Sequence, residues 1–165
     1  MSGKKVNGTS TKQPRFQCLG QAVRDLSFEC PVPAFLVENV PSDMDLNLSV
    51  SVSGREQPES TWDVTLALRA ESKLEGRSLF LIELAYGGVF LVENLEDDQR
   101  DAVLHVDAAA MLYPFARQLL MSTVVEGGYR PPLLDAVNFG AIYQQSMLQK
   151  QAAESKEEQQ EKNAK

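Results

Sequence analysis

The sequence predicts an α+β fold, with a four-stranded antiparallel sheet first in the chain and helices after it. Three observations carry the prediction. Four segments between residues 16 and 92 alternate apolar with polar side chains, or run apolar, before any helical pattern begins. Polar turns at 54–60 and 75–77 join the later segments, as between antiparallel neighbours. One long apolar helix, 108–126, then ends at Gly127 and Gly128.

Residues 1–14, rich in Ser, Thr, Lys and Gly, are expected to be disordered. Phe16 to Gly20 and Val23 to Cys30 read as one interrupted strand, with Gly20 marking a bulge. In its second half Leu26, Phe28 and Cys30 alternate with Asp25, Ser27 and Glu29, so Asp25 and Glu29 share one face. Pro31 and Pro33 end it. The stretch to Pro41 is apolar but irregular, with Phe35, Leu36, Val37 and Val40. It is either a crossover loop packed on the sheet or a binding surface. Met44 to Val52 has the cleanest alternation, with Met44, Leu46, Leu48, Val50 and Val52 on a dry face. Trp62 to Ala70 repeats the pattern. Leu79 to Tyr86 is apolar on both faces except at Glu83, which marks a central strand or one at an interface. Gly87 and Gly88 are expected to interrupt it before Val89 to Val92.

Glu96 to Asp101 starts a short helix with acids at its positive end. Asp107 is the expected N-cap of the main helix, and Pro114 its expected kink. The apolar stripe of that helix is wide, taking in Leu112, Phe115 and Leu119 in one row and Ala116, Leu120 and Val124 in another. A helix backed by water carries a narrower one. It is either a central core helix or a helix buried on two sides, by its own sheet and by another subunit. The shortness of the chain favours the second. Tyr129 to Val137 reads as an extended connector, and Asn138 as the cap of a last helix from Phe139 to about Gln151. From Ala152 on the chain is Glu, Lys and Gln without an apolar anchor, as in a solvated helix end or a disordered tail. We read one domain over 15–150 and a disordered charged tail over 151–165.

The net charge of −7 hides an asymmetry. Residues 1–15 carry four bases and no acid, and 146–165 carry four Lys and four Glu, so 16–145 holds 8 basic and 19 acidic side chains. A body this acidic repels nucleic acid and suits a basic protein partner. No apolar run is long enough to span a bilayer, and the N-terminus lacks a signal-peptide apolar segment. The expectation is a cytoplasmic protein without direct membrane insertion. Cys18 and Cys30 read as free thiols. The single histidine, His105, supports neither a metal constellation nor a nucleophilic triad, and no phosphate-cradling loop is present. Neither catalysis nor a cofactor is expected.

Several spaced motifs resemble the SecB family of protein-export chaperones. They are Asp25-Leu-Ser-Phe-Glu-Cys-Pro31, Glu83-Leu-Ala-Tyr-Gly-Gly-Val-Phe90, Leu112-Tyr-Pro-Phe-Ala-Arg117 and the run from Gly127 to Tyr143. The resemblance covers roughly residues 15–148. Departures from it are Val40, where an aromatic is common, the Pro131-Pro132 pair, and a tail whose Lys and Glu balance. The resemblance implies a four-stranded antiparallel sheet with helices packed on one face. It also implies a homotetramer, a dimer of dimers, with the long helices between two sheets. The implied function is to hold unfolded preproteins without ATP and deliver them to the SecA motor. The implied SecA-contacting positions are Asp25, Glu29, Leu81 and Glu83; the three carboxylates among them, fixed on a flat face, attract a basic, metal-bearing segment. Client binding needs apolar grooves, for which Leu36, Val40, Met44, Leu46 and Leu48 are candidates, with Phe139 and Tyr143 as an opposite wall. Each of these could instead be core. Phe115, Leu119, Leu120 and Val124 are the candidates for the subunit interface. Two other classes stand beside this one. The first is a sheet-based adaptor that binds a basic partner without unfolded clients. The second, a thioesterase-like enzyme, lacks its acid/base set.

Overall fold

A computed structural model of the chain describes residues 13–37, 46–131 and 133–163, with 153–163 as backbone alone. Val40, Met44 and the expected disordered stretch up to residue 12 lie outside the described residues. Strands β1 (Arg15–Glu29), β2 (Leu46–Gln57), β3 (Thr61–Leu74) and β4 (Arg77–Glu93) form one antiparallel sheet in the order β1-β4-β3-β2. The helices follow: α1 (Asp97–Ala102), a π-helical turn (Val103–Ala108), α2 (Ala109–Glu126) and α3 (Phe139–Asn163).

Alternation decides what the sheet buries. Val64, Leu66, Leu68 and Ala70 of β3 and Phe80, Ile82, Leu84 and Phe90 of β4 are shut away under the helices. Leu104, Leu112, Ala116, Leu120 and Val124 meet them from the helical side. Edge strand β2 adds Leu46, Leu48, Val50 and Val52, each half-buried against that core. The helices therefore cover one face of the sheet and leave the other open.

Four expectations about element boundaries are corrected. The interruption at Gly87-Gly88 is absent, and β4 is continuous through both. These glycines admit close neighbours. A Cβ at Gly87 would lie 2.5 Å from Nε of Arg24, and one at Gly88 would lie 2.9 Å from a methyl of Leu112. Asp107 is not an N-cap, because the helix already begins at Asp97 and passes through the π turn without ending. The polar turn expected at 54–60 shrinks to three residues, as β2 runs to Gln57. The last helix does not stop near Gln151 but continues to Asn163, so of the two forms expected beyond Ala152, helix end or disordered tail, the chain takes the helix end. Its Ala, Glu, Lys and Gln are all good helix formers, which outweighs the lack of an apolar anchor.

Other expected details are present. Register shifts bracket Leu19 and Arg24 in β1, placing a bulge next to Gly20. The α2 terminus is a Schellman cap: Gly128 N–H donates to Val125 O at 2.9 Å, Tyr129 N–H donates to Val124 O at 3.2 Å, and Gly128 takes φ +84°. Asn138 caps α3, its Oδ1 accepting from Ala141 N–H at 3.0 Å.

Buried tyrosines hold the connectors down. Tyr113 donates to Asp135 O at 3.1 Å, and Tyr129 donates to Val32 O, fastening the segment after β1 beneath the end of α2. Burial raises the Tyr129 phenol above its ordinary 10.0, and Cys30 adds to the rise. The fold holds the neutral phenol. Its contribution is therefore complete below pH 10.0 and fades as pH climbs through the raised value. Tyr129→Phe is expected to cost about 1 kcal/mol at neutral pH, because Val32 O loses its donor. It should also flatten the loss of stability above pH 10. Thermal melts at pH 7 and in steps above 10 check both; an alkaline profile unchanged by the substitution would exclude Tyr129 as its source.

Candidate functional site

The open face of the sheet gathers the expected docking residues. Register aligns Ser27, Glu83, Arg69 and Ser49 in one row across the strands. Glu29, Leu81, Glu71 and Asn47 form the row on one side, and Asp25, Ala85, Ala67 and Ser51 the row on the other. Asp25, Glu29, Leu81 and Glu83 thus sit on one face in three successive rows of the adjacent strands β1 and β4. Asp25, Glu29 and Glu83 are exposed and Leu81 is half-buried.

Sequence reasoning missed the basic residues among them. Arg69 Nε donates to Glu83 Oε1 at 3.2 Å, and its Nη1 lies 3.6 Å from Glu71. Lys73 Nζ lies 3.4 Å from the same Glu71. Arg24, the bulge residue, lays its side chain over Gly87 and reaches Asp63 at 2.9 Å. Among the described residues Asp25 and Glu29 enter no ion pair. A shallow hollow of about 360 Å³ opens between these rows, floored by small residues such as Ala67, Ala85, Ser49 and Ser51, with Asp25, Arg69 and Glu83 around it. The alternation in β3 put Arg69 on the wet face. Only the register puts it opposite Glu83.

The candidate client residues are not gathered in one place. Phe35 and Leu36 stand exposed on a 3-10 turn (Ala34–Leu36), 85% and 66% accessible. Leu36 borders a cleft with Leu74 and Leu79. Tyr143 is half-buried on α3 and stacks on His105 at 5.4 Å, in a groove floored by Val50 and Val52 of β2. His105 Nδ1–H donates to Asp101 O at 2.9 Å. Leu46 and Leu48 pack on the core as half-buried side chains. Phe139 is corrected from groove wall to core: it is 5% accessible and meets Tyr113 edge-on at 5.7 Å. A ring closed in by its own chain offers no surface to a client.

The interface candidates divide in the same way. Leu120 and Val124 are 0% accessible within the protomer, packed on the sheet, so neither can be a subunit contact. Phe115 is on the outer side of α2, 49% accessible and stacked on Tyr86 at 6.4 Å. Leu119 is half-buried beside the core. Met111 and Val125 are also exposed on α2, and Val23 and Leu26 on β1. Among the described residues no three His, Cys, Asp or Glu are placed to hold a metal ion, and no helix is long and apolar enough to cross a membrane.

Comparisons with known proteins agree with one another. A family model described as preprotein translocase subunit SecB matches residues 9–150. The protein-export protein SecB of Jannaschia sp. is 35% identical over 165 aligned positions, covering 92% of this chain and 96% of the relative. That of Xanthobacter autotrophicus is 33% identical, covering 86% and 90%. Among solved structures, a SecB-like chaperone of Mycobacterium tuberculosis, in complex with a peptide from an antitoxin, superposes with a TM-score of 0.61. At 13% identity, over 74% of this chain and 91% of that one, it is a match of fold.

Proposed function

The chain belongs to the SecB family and serves protein export as a chaperone, and on that premise we propose that it holds unfolded preproteins in the cytoplasm without nucleotide and passes them to the SecA motor. The observation that carries the SecA part is the convergence of Asp25, Glu29, Leu81 and Glu83 on one open face. Carboxylates on a flat surface speed encounter with a basic partner and select for it. The covered face of the sheet faces the helices, so that docking leaves the other grooves free. Client binding falls to the exposed apolar turn at Phe35 and Leu36 and to the groove beside Tyr143, where unfolded chain finds apolar side chains without entering the core. The same reading extends to a homotetramer joined through the outer side of α2 and to one functional domain over 15–150.

Aggregation of a slowly folding preprotein, followed by light scattering, tests the holdase. Stoichiometric protein without nucleotide is expected to suppress it. Phe35→Ser with Leu36→Ser should weaken client binding by roughly thirtyfold or more, and suppression with it, since two exposed apolar side chains each contribute roughly 1–2 kcal/mol of burial on a client. Full suppression by the double variant would move the client surface away from this turn. No suppression by the unaltered protein, together with binding of SecA, would leave an adaptor for a basic partner instead.

A further inference from the structure

We infer that Arg69 sets the affinity of the acidic face: in the free protein it occupies the Glu83 carboxylate that an arriving basic side chain must claim. The inference rests on the reading of that face as the SecA-docking surface. Arg69 stands directly opposite Glu83 in the β3–β4 register, with Nε 3.2 Å from Oε1. Its other end reaches Glu71, which Lys73 also holds, so one guanidinium spans two carboxylates. Asp25 and Glu29 have no such companion among the described residues. The acidic face is thus half open, on β1, and half occupied, on β4.

The pair is a weak one for the fold. The Arg69 and Glu83 side chains are 45% and 53% accessible, and an ion pair in that much water contributes little to stability. For a ligand it counts differently. A fixed positive charge a few ångströms from the docking carboxylate repels the partner's cation and must be displaced before Glu83 is reached. A basic side chain that settles in the hollow enters from the Asp25 side, over the small residues Ala67 and Ala85, and meets Arg69 on the opposite rim. Arg69 therefore acts as an internal competitor.

Calorimetry with the metal-loaded terminal segment of SecA tests this on the full chain, for the unaltered protein, Arg69→Gln and Arg69→Lys. Arg69→Gln is expected to bind roughly three- to tenfold tighter at low salt, with a steeper salt dependence. Arg69→Lys, which keeps the charge, should stay near the unaltered protein. In a Glu83→Gln background the gain from Arg69→Gln should shrink, which a general loosening of the sheet would not produce. Unchanged or weaker binding by Arg69→Gln, with the unaltered protein binding normally, overturns the competitor role and leaves the docking surface standing. No binding by any form removes the docking surface itself, and the inference with it.

Discussion

Leu120→Asp is expected to unfold the protomer, whereas Phe115→Asp, five residues away on the same helix, is expected to leave it folded and break the assembly. Leu120 has no accessible surface within one chain. An aspartate there would have to bury an unpaired carboxylate, at a cost of several kcal/mol, against a domain stability of roughly 5–15 kcal/mol. Phe115 is half in water and loses only its stack on Tyr86, about 1 kcal/mol. Placed between subunits, however, the new carboxylate would be desolvated by the partner helix. Light scattering should give about four times 18.3 kDa for the unaltered protein and a smaller, folded species for Phe115→Asp. Circular dichroism should show lost structure for Leu120→Asp alone. An unaltered mass for Phe115→Asp would take the subunit contact off this side of α2.

Charge reversal on the open face should be equally severe and should act on a different readout. Glu83→Lys, or Asp25→Lys with Glu29→Lys, is expected to abolish SecA binding at physiological salt, a loss of roughly 2 kcal/mol or more. Client binding should be nearly intact, because the helices and the 3-10 turn are elsewhere. Folding should survive, since these side chains are exposed and the one ion pair lost, Arg69 with Glu83, is half in water. Calorimetry at two salt concentrations distinguishes the cause: binding by the unaltered protein should weaken as salt rises. SecA affinity that ignores both salt and substitution would return these carboxylates to the role of solubilising charges.

The legible parts of the molecule were those that depend on one chain segment at a time. Alternation in β2 and β3 named the side chains that face the helices, buried from Val64 to Ala70 in β3 and half-buried in β2, and Asn138 and the Gly127-Gly128 pair marked real helix ends. Segment-by-segment reading fails where two segments meet. Gly87 and Gly88 look like strand breakers until Arg24 and Leu112 are seen against them. Asp107 looks like a cap because nothing local announces a π turn. The width of the α2 stripe was visible, but which row faced the sheet was not, so Leu120 and Phe115 could not be told apart. The acidic face was half legible for the same reason. Asp25 and Glu29 follow from alternation within β1, while the opposition of Arg69 to Glu83 follows only from register.

The strand order has a consequence for synthesis. The first strand made, β1, pairs with the last, β4: Arg15 with Glu93 and Glu29 with Leu81. Strands β2, β3 and β4 can zip as successive hairpins while the chain is still emerging, but β1 must wait for a partner that leaves the ribosome last among the strands. That closure is the most non-local pairing in the sheet and the slowest kind to form. Asp25 and Glu29 come from β1 and Leu81 and Glu83 from β4, so the four residues become neighbours only when it is complete. A nascent or half-folded copy carries both pairs of residues without the surface they make together, and a partner that needs all four would pass it by.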